Sequence, residues 1–134
     1  MRRGLCQVLS LIVLAALAGA CEPTAIIEPE EPEKVTVPFN GTLTVNGAAT
    51  HRFTAQNSGD INVILKSITP AVGIHIGLGV WTGASCNIII SDDNALGNAT
   101  LIGTATAAGE FCARVADVGR LTGPTEYALE LTHF

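Results

Sequence analysis

The sequence predicts an all-β fold, a single antiparallel β-sandwich of about eight strands, and three observations carry that expectation. From Val35 onward Thr, Val, Ile, Ala and Gly dominate, in short runs separated by turn residues such as Asn46-Gly47 and Gly59-Asp60. The runs alternate apolar and polar residues at period two, and no amphipathic helical period runs through them. About eight such runs fit within residues 35–134, a density of strands and turns that suits a sandwich.

Residues 42–45 alternate before the Asn46-Gly47 turn signal, and residues 51–55 alternate before Asn57-Ser58-Gly59-Asp60. Residues 61–68 are largely apolar and end at Thr69-Pro70, which predicts a central strand covered on both faces. In the next run Ile74, Ile76, Leu78 and Val80 share one face, while His75, Gly77, Gly79 and Trp81 share the other. Residues 86–90, 100–106, 110–118 and 127–132 complete the set. Parity leaves one conflict. Phe111, Ala113 and Val115 read as inward, which places Cys112 on the opposite face beside Arg114, whereas Cys86 has the parity of Ile88 and Ile90. A bulge, or a cysteine just outside regular pairing, reconciles the two.

Residues 1–20 read as a cleaved signal helix. Arg2 and Arg3 precede an apolar run from Val8 to Leu17, and the small triplet Ala18-Gly19-Ala20 follows directly before Cys21. At about 1.5 Å per helical residue, residues 8–20 reach about two thirds of the way across a 30 Å bilayer core, so a permanent membrane span is not expected. Leu17-Ala18-Gly19-Ala20-Cys21 resembles the lipobox of bacterial lipoproteins, with Ala18 where leucine is commonest. The resemblance implies a diacylglycerol on Cys21, with palmitate as the acyl type, and cleavage just before it. The alternative is an ordinary signal peptide that leaves Cys21 a free thiol, a liability in an oxidising compartment.

Residues 21–34 read as an unstructured tether. Pro23, Pro29 and Pro32 favour extended backbone, and Glu22, Glu28, Glu30, Glu31 and Glu33 repel one another against the single Lys34. At about 3.1 Å per residue the tether holds the domain up to roughly 40 Å from the lipid. Glu22, rather than an aspartate, after the anchor favours the outer membrane of the envelope; neither leaflet nor face follows from it.

Of four cysteines, Cys6 leaves with the signal and Cys21 becomes the anchor, so Cys86 and Cys112 remain as a disulfide pair in an exported chain. A zinc site is the rival reading, and it lacks both CxxC spacing and a nearby histidine. Charge narrows the partners further. Without residues 1–20 the chain holds twelve Asp and Glu against five Lys and Arg, a net charge of −7, which disfavours nucleic acid.

Several segments together resemble the bacterial pre-peptidase C-terminal domain: Phe39-Asn40-Gly41-Thr42-Leu43, His51-Arg52-Phe53-Thr54-Ala55, the Gly59-Asp60 turn with Ile61-Asn62-Val63-Ile64-Leu65, Ala108-Gly109-Glu110-Phe111-Cys112-Ala113-Arg114-Val115, and Pro124-Thr125-Glu126-Tyr127-Ala128-Leu129-Glu130-Leu131. The resemblance covers residues 35–134. It implies a jelly-roll-like β-sandwich, usually an accessory module of secreted enzymes, and sometimes calcium or polymer binding. Two departures bear on function. The chain ends at Phe134, so no joined enzyme is expected, and Cys112 stands where the family has its second tyrosine-like aromatic.

The candidate sites are few. Asp92, Asp93 and Asn94 form the compact acidic group, and such hard oxygen donors suit calcium, although Asp and Asn clusters also simply make turns. Trp81, at an expected strand end before Thr82-Gly83, is a candidate ligand or partner contact. Arg120, in the loop of residues 119–124, faces solvent or a partner. Catalysis is not expected: His51, His75 and His133 stand in no triad pattern, Ser58, Ser67, Ser85 and Ser91 in no Gly-x-Ser-x-Gly elbow, and no phosphate loop or HExxH motif occurs. The sequence therefore predicts a lipid-anchored, cofactor-free binding or adhesion module for an envelope protein or glycan. A structural assembly component without a small ligand is the alternative, and a hydrolase is the remote one.

Overall fold

The computed structural model describes residues 25–134; the expected signal segment and Cys21 lie outside the described residues. Residues 25–34 carry no regular secondary structure and are exposed. Eight strands follow: β1 (Val35–Leu43), β2 (Ala48–Ala55), β3 (Gly59–Thr69), β4 (Ile74–Trp81), β5 (Cys86–Ala95), β6 (Thr100–Ala105), β7 (Gly109–Ala116) and β8 (Thr125–His133). They form two four-stranded antiparallel sheets, in the orders β1-β8-β3-β6 and β2-β7-β4-β5, the doubly wound arrangement of a jelly roll.

Alternation drives the packing. Leu43, Ile61, Val63, Leu65, Leu129 and Leu131 of the first sheet meet Phe53, Ile74, Ile76, Leu78, Ala113 and Val115 of the second. Each large side chain buried this way contributes about 1.5–3 kcal/mol. Phe53 also lies 5.8 Å from Phe111 and 5.3 Å from His133, ring centre to ring centre, so aromatic contacts continue the core toward one end.

One expectation needs correction. β3 is central in its sheet, between β8 and β6, but it is covered on one face only. Ile61, Val63 and Leu65 are buried, whereas Asn62 and Ile64 are half-buried on an outer face that no third layer covers among the described residues. A chain of this length builds two layers, so even a central strand keeps a solvent side.

Two bulges shape β5. Its register against β4 passes from Gly79↔Ile88 to Leu78↔Ile90, so Ile89 is an extra residue. That bulge resolves the parity conflict: Cys86 and Ile88 lie on the outer face with Cys112, and Ile90 turns inward. Cys86 and Cys112 form a disulfide with Cα atoms 5.8 Å apart, although they sit on strands flanking β4. Strands two apart in a sheet are normally about 9.6 Å apart, so β5 arches over β4 to reach β7.

Every strand reverses direction, so connections gather at two ends. The loops after β1, β3, β5 and β7 share one end, called here the far end. The opposite end holds the loops after β2, β4 and β6 together with the start of β1 and the end of β8, where Val35 pairs with His133.

Candidate functional site

The far end brings together four of the residues singled out in the sequence, Asp92, Asp93, Asn94 and Arg120. Asp92, Asp93 and Asn94 close strand β5 rather than lying in a loop. Asn94 donates its backbone N–H to the Asp92 carboxylate at 2.8 Å, and the Asp93 carboxylate hydrogen-bonds Nδ1 of His75. Arg120 donates from Nη1 to Oδ1 of Asn94 at 2.6 Å and to the Asp93 carbonyl at 3.0 Å. The guanidinium thus occupies the Asn94 side-chain oxygen and the Asp93 main-chain carbonyl, while the Asp92 and Asp93 carboxylates turn to the Asn94 N–H and to His75. Among the described residues no group of three or more His, Cys, Asp or Glu gathers in metal-binding geometry.

Asp117, which the sequence reading did not single out, organises the same end. Its carboxylate accepts the backbone N–H groups of Asn46 at 2.8 Å, Arg120 at 2.8 Å and Leu121 at 3.1 Å, while its own N–H donates to the Gly47 carbonyl at 2.9 Å. The Asn46 amide first, then those of Arg120, Leu121 and Gly119, hold this carboxyl below its usual range. Asp117 ties the loop after β1 to the loop after β7, and Arg120 ties the latter to β5 and, through the Gly73 carbonyl at 3.5 Å, to the loop after β3. Loops are ordinarily the mobile parts of a fold, and these are cross-braced. Val45, Val118 and Leu96 stand exposed on them.

Beside these loops the outer face of the first sheet is hollowed. Cross-strand register sets Asn40, Ala128 and Ser67 in one row and Thr42, Glu126 and Thr69 in the next. Ala128 gives the middle strand a low floor, and a depression of about 450 Å³ lies over these rows. Of its polar side chains, Tyr127 bonds His51 beneath, while Asn40, Thr42, Ser67, Thr69 and Glu126 have no side-chain hydrogen-bond or ion-pair partner among the described residues; Lys66, the nearby cation of β3, pairs with Glu130 at 3.8 Å. The residues are distant in sequence, so only the strand register could have revealed the group.

Trp81 lies at the opposite end. The Arg52 guanidinium covers its ring at 4.5 Å and is held there by Glu110 at 2.8 Å. Its indole nitrogen is buried without a partner among the described residues. The ring is therefore half-covered by the protein's own cation.

The histidines are also accounted for. His51 stacks on Phe39 at 4.5 Å and shares a hydrogen bond of 2.9 Å with the Tyr127 hydroxyl; burial lowers its pKa and raises that of Tyr127. His133 packs on Phe53. His75 and Asp93 form a base with an orienting carboxylate. Ser91 lies across from Gly77, the second residue after His75, yet no hydrogen bond joins it to the imidazole. The nucleophile-to-base link that a hydrolase needs is not assembled there.

The fold has solved counterparts. The structure is similar to the Yersinia pseudotuberculosis-derived mitogen, with a TM-score of 0.57 and 14% identity over 76% of this chain and 88% of that one. It is also similar to Aeromonas hydrophila PliG, a periplasmic inhibitor of g-type lysozyme, with a TM-score of 0.52 and 14% identity over 73% and 84% of the two chains. At that identity the likeness establishes the shared sandwich fold. No protein-family model matches the chain, and no curated protein matches it.

Proposed function

We propose that this protein is a lipid-anchored, non-catalytic module of the bacterial envelope that binds another exported protein through its far end. The observation that carries the reading is the bracing by Asp117 and Arg120, which holds exposed Val45 and Val118 in fixed positions before any partner arrives. Pre-organised loops avoid part of the ordering cost of association. A protein surface suits this end better than a glycan, because the single tryptophan lies at the other end under Arg52.

The remaining features support the same picture. Residues 1–21 supply an export signal and an acylation site, with Glu22 favouring the outer membrane, and the acidic tether joins the domain at the end opposite the braced loops. The resemblance of residues 35–134 to an accessory module is in keeping with binding rather than catalysis. Of the two solved neighbours named above, one is a mitogen and the other a periplasmic lysozyme inhibitor.

A g-type lysozyme is accordingly the first probe. The purified protein is expected to slow its lysis of cell-wall substrate, and Val45→Asp with Val118→Asp to abolish the effect; undiminished lysis at saturating protein overturns a lysozyme-directed reading. Anchoring has its own test. Cys21→Ala is expected to move the protein from the detergent phase to the aqueous phase, and continued partition into detergent would defeat the lipid anchor.

A further inference from the structure

The flank where β5 and β6 run as the outer strands of their sheets carries a second, different surface. Ile89 of β5 is 67% exposed, and Ile102 of β6, on the outer face of the first sheet in register with Asn62, is 64% exposed. Ile89 stands at the rim of an apolar notch of about 60 Å³, lined also by Ile61, Leu78, Ile90 and Phe111, with room for about two water-sized groups. Gly103 opens it: Leu78 reaches within 2.7 Å of where a Cβ would stand, so β6 offers no side chain to close the gap between the sheets. Ile89 projects because it is the extra residue of the β5 bulge, a device that re-aims a side chain.

Around Ile89 and Gly103 the flank lacks the charged and proline residues that usually protect sheet edges. Residues 86–91 and 100–105 contain no Lys, no Pro and no charge of either sign, the two aspartates of β5, Asp92 and Asp93, lying beyond them toward the far end. Elsewhere the domain is acidic, with seven Asp and Glu against four Lys and Arg in residues 35–134. A basic partner is steered to the carboxylates and away from this flank. Two copies of the chain repel through their acidic faces and meet most readily where neither presents charge.

We propose that this flank is a homodimer interface, in which Ile89 of each copy seats against the notch of the other. A projecting residue and a receptive notch on the same patch satisfy the self-complementarity that a two-fold interface requires. Pairing through the flank leaves the braced loops and the tether clear, so self-association is independent of partner binding at the far end.

Sedimentation equilibrium of the secreted chain carrying Cys21→Ala, from low to high micromolar concentration, tests the interface. The expected result is a reversible monomer–dimer equilibrium, with Ile89→Asp and Ile102→Asp each weakening it by about tenfold or more. Ile89→Ser serves as a milder second variant, and circular dichroism verifies that each variant is folded. Val45→Asp leaves the dimer unchanged and so separates this surface from the partner-binding end. A chain that remains monomeric throughout overturns the proposal. So does a dimer that persists in folded Ile89→Asp protein, since it uses another surface.

Discussion

At Gly79 a single added carbon would stand 2.0 Å from the Asn87 carbonyl oxygen and 2.8 Å from the Ile88 Cα. Those are backbone atoms of the arch that carries Cys86 over β4, so they have little room to yield. Gly79→Ala is expected to cost about 3 kcal/mol, at the upper end of overpacking effects, and a lowered denaturation midpoint with incomplete disulfide formation would register it. Replacing Cys86 and Cys112 by serine is expected to cost roughly 3 to 4 kcal/mol on the chain-entropy account, read in the same unfolding experiment. The pairing was legible from cysteine count and compartment. The glycine beneath it was not, since its function depends on which backbone crosses it.

His51 gives a second residue-scale expectation. Burial depresses its pKa below 6.5, so under acidic conditions the folded chain binds fewer protons than the unfolded one. Stability is then full above that value and declines as pH falls through it. His51→Gln, which retains a donor and an acceptor for the Tyr127 hydroxyl, should flatten this part of the pH profile in urea titrations.

At the scale of elements, the far end behaves as a cross-linked set of loops. Asp117→Asn retains the shape but weakens three backbone hydrogen bonds, so faster amide exchange is expected at Asn46, Arg120 and Leu121 with the sheets little affected. The depressed carboxyl adds an acid limit to this bracing: its contribution is present above pH 3.8 and disappears as pH falls through the lower folded value. Arg120→Ala should lower stability by about 1 kcal/mol, whereas a chelator should leave the melting temperature unchanged, because the Asp92, Asp93 and Asn94 side chains turn to separate partners. The sequence marked Asp92, Asp93 and Asn94 as notable for their oxygen donors. It could not show that Arg120, 26 residues beyond Asn94, hydrogen-bonds the Asn94 side chain.

For the whole molecule, alternation and turn residues were enough to predict an all-β sandwich, because burial on one face imposes period two on nearly every strand. β3 deviated because an apolar run reads the same whether one face or both are covered, and the number of layers is set by the whole chain. The hollow around Glu126 was invisible for a related reason: Asn40, Ser67 and Glu126 become neighbours only once β8 lies between β1 and β3. Charge, by contrast, was fully legible, and it separates an acidic surface from the uncharged stretches of residues 86–91 and 100–105 on the β5–β6 flank.

The pairing of β1 with β8 also has a mechanical consequence. β1 begins where the tether joins the domain and runs nine residues toward the far end, from Val35↔His133 to Leu43↔Thr125. Were the tether held at a membrane and a partner bound at the far end, as proposed, a pull between them would be directed along this strand. Ladder hydrogen bonds lie perpendicular to their strands, so such a load shears the β1–β8 bonds together instead of opening them one after another. The Cys86–Cys112 bond lies in the other sheet and carries none of that first load. Resistance to being torn from its anchorage would rest on one edge ladder, and a proline at Phe39 would weaken the hold far more under tension than at rest.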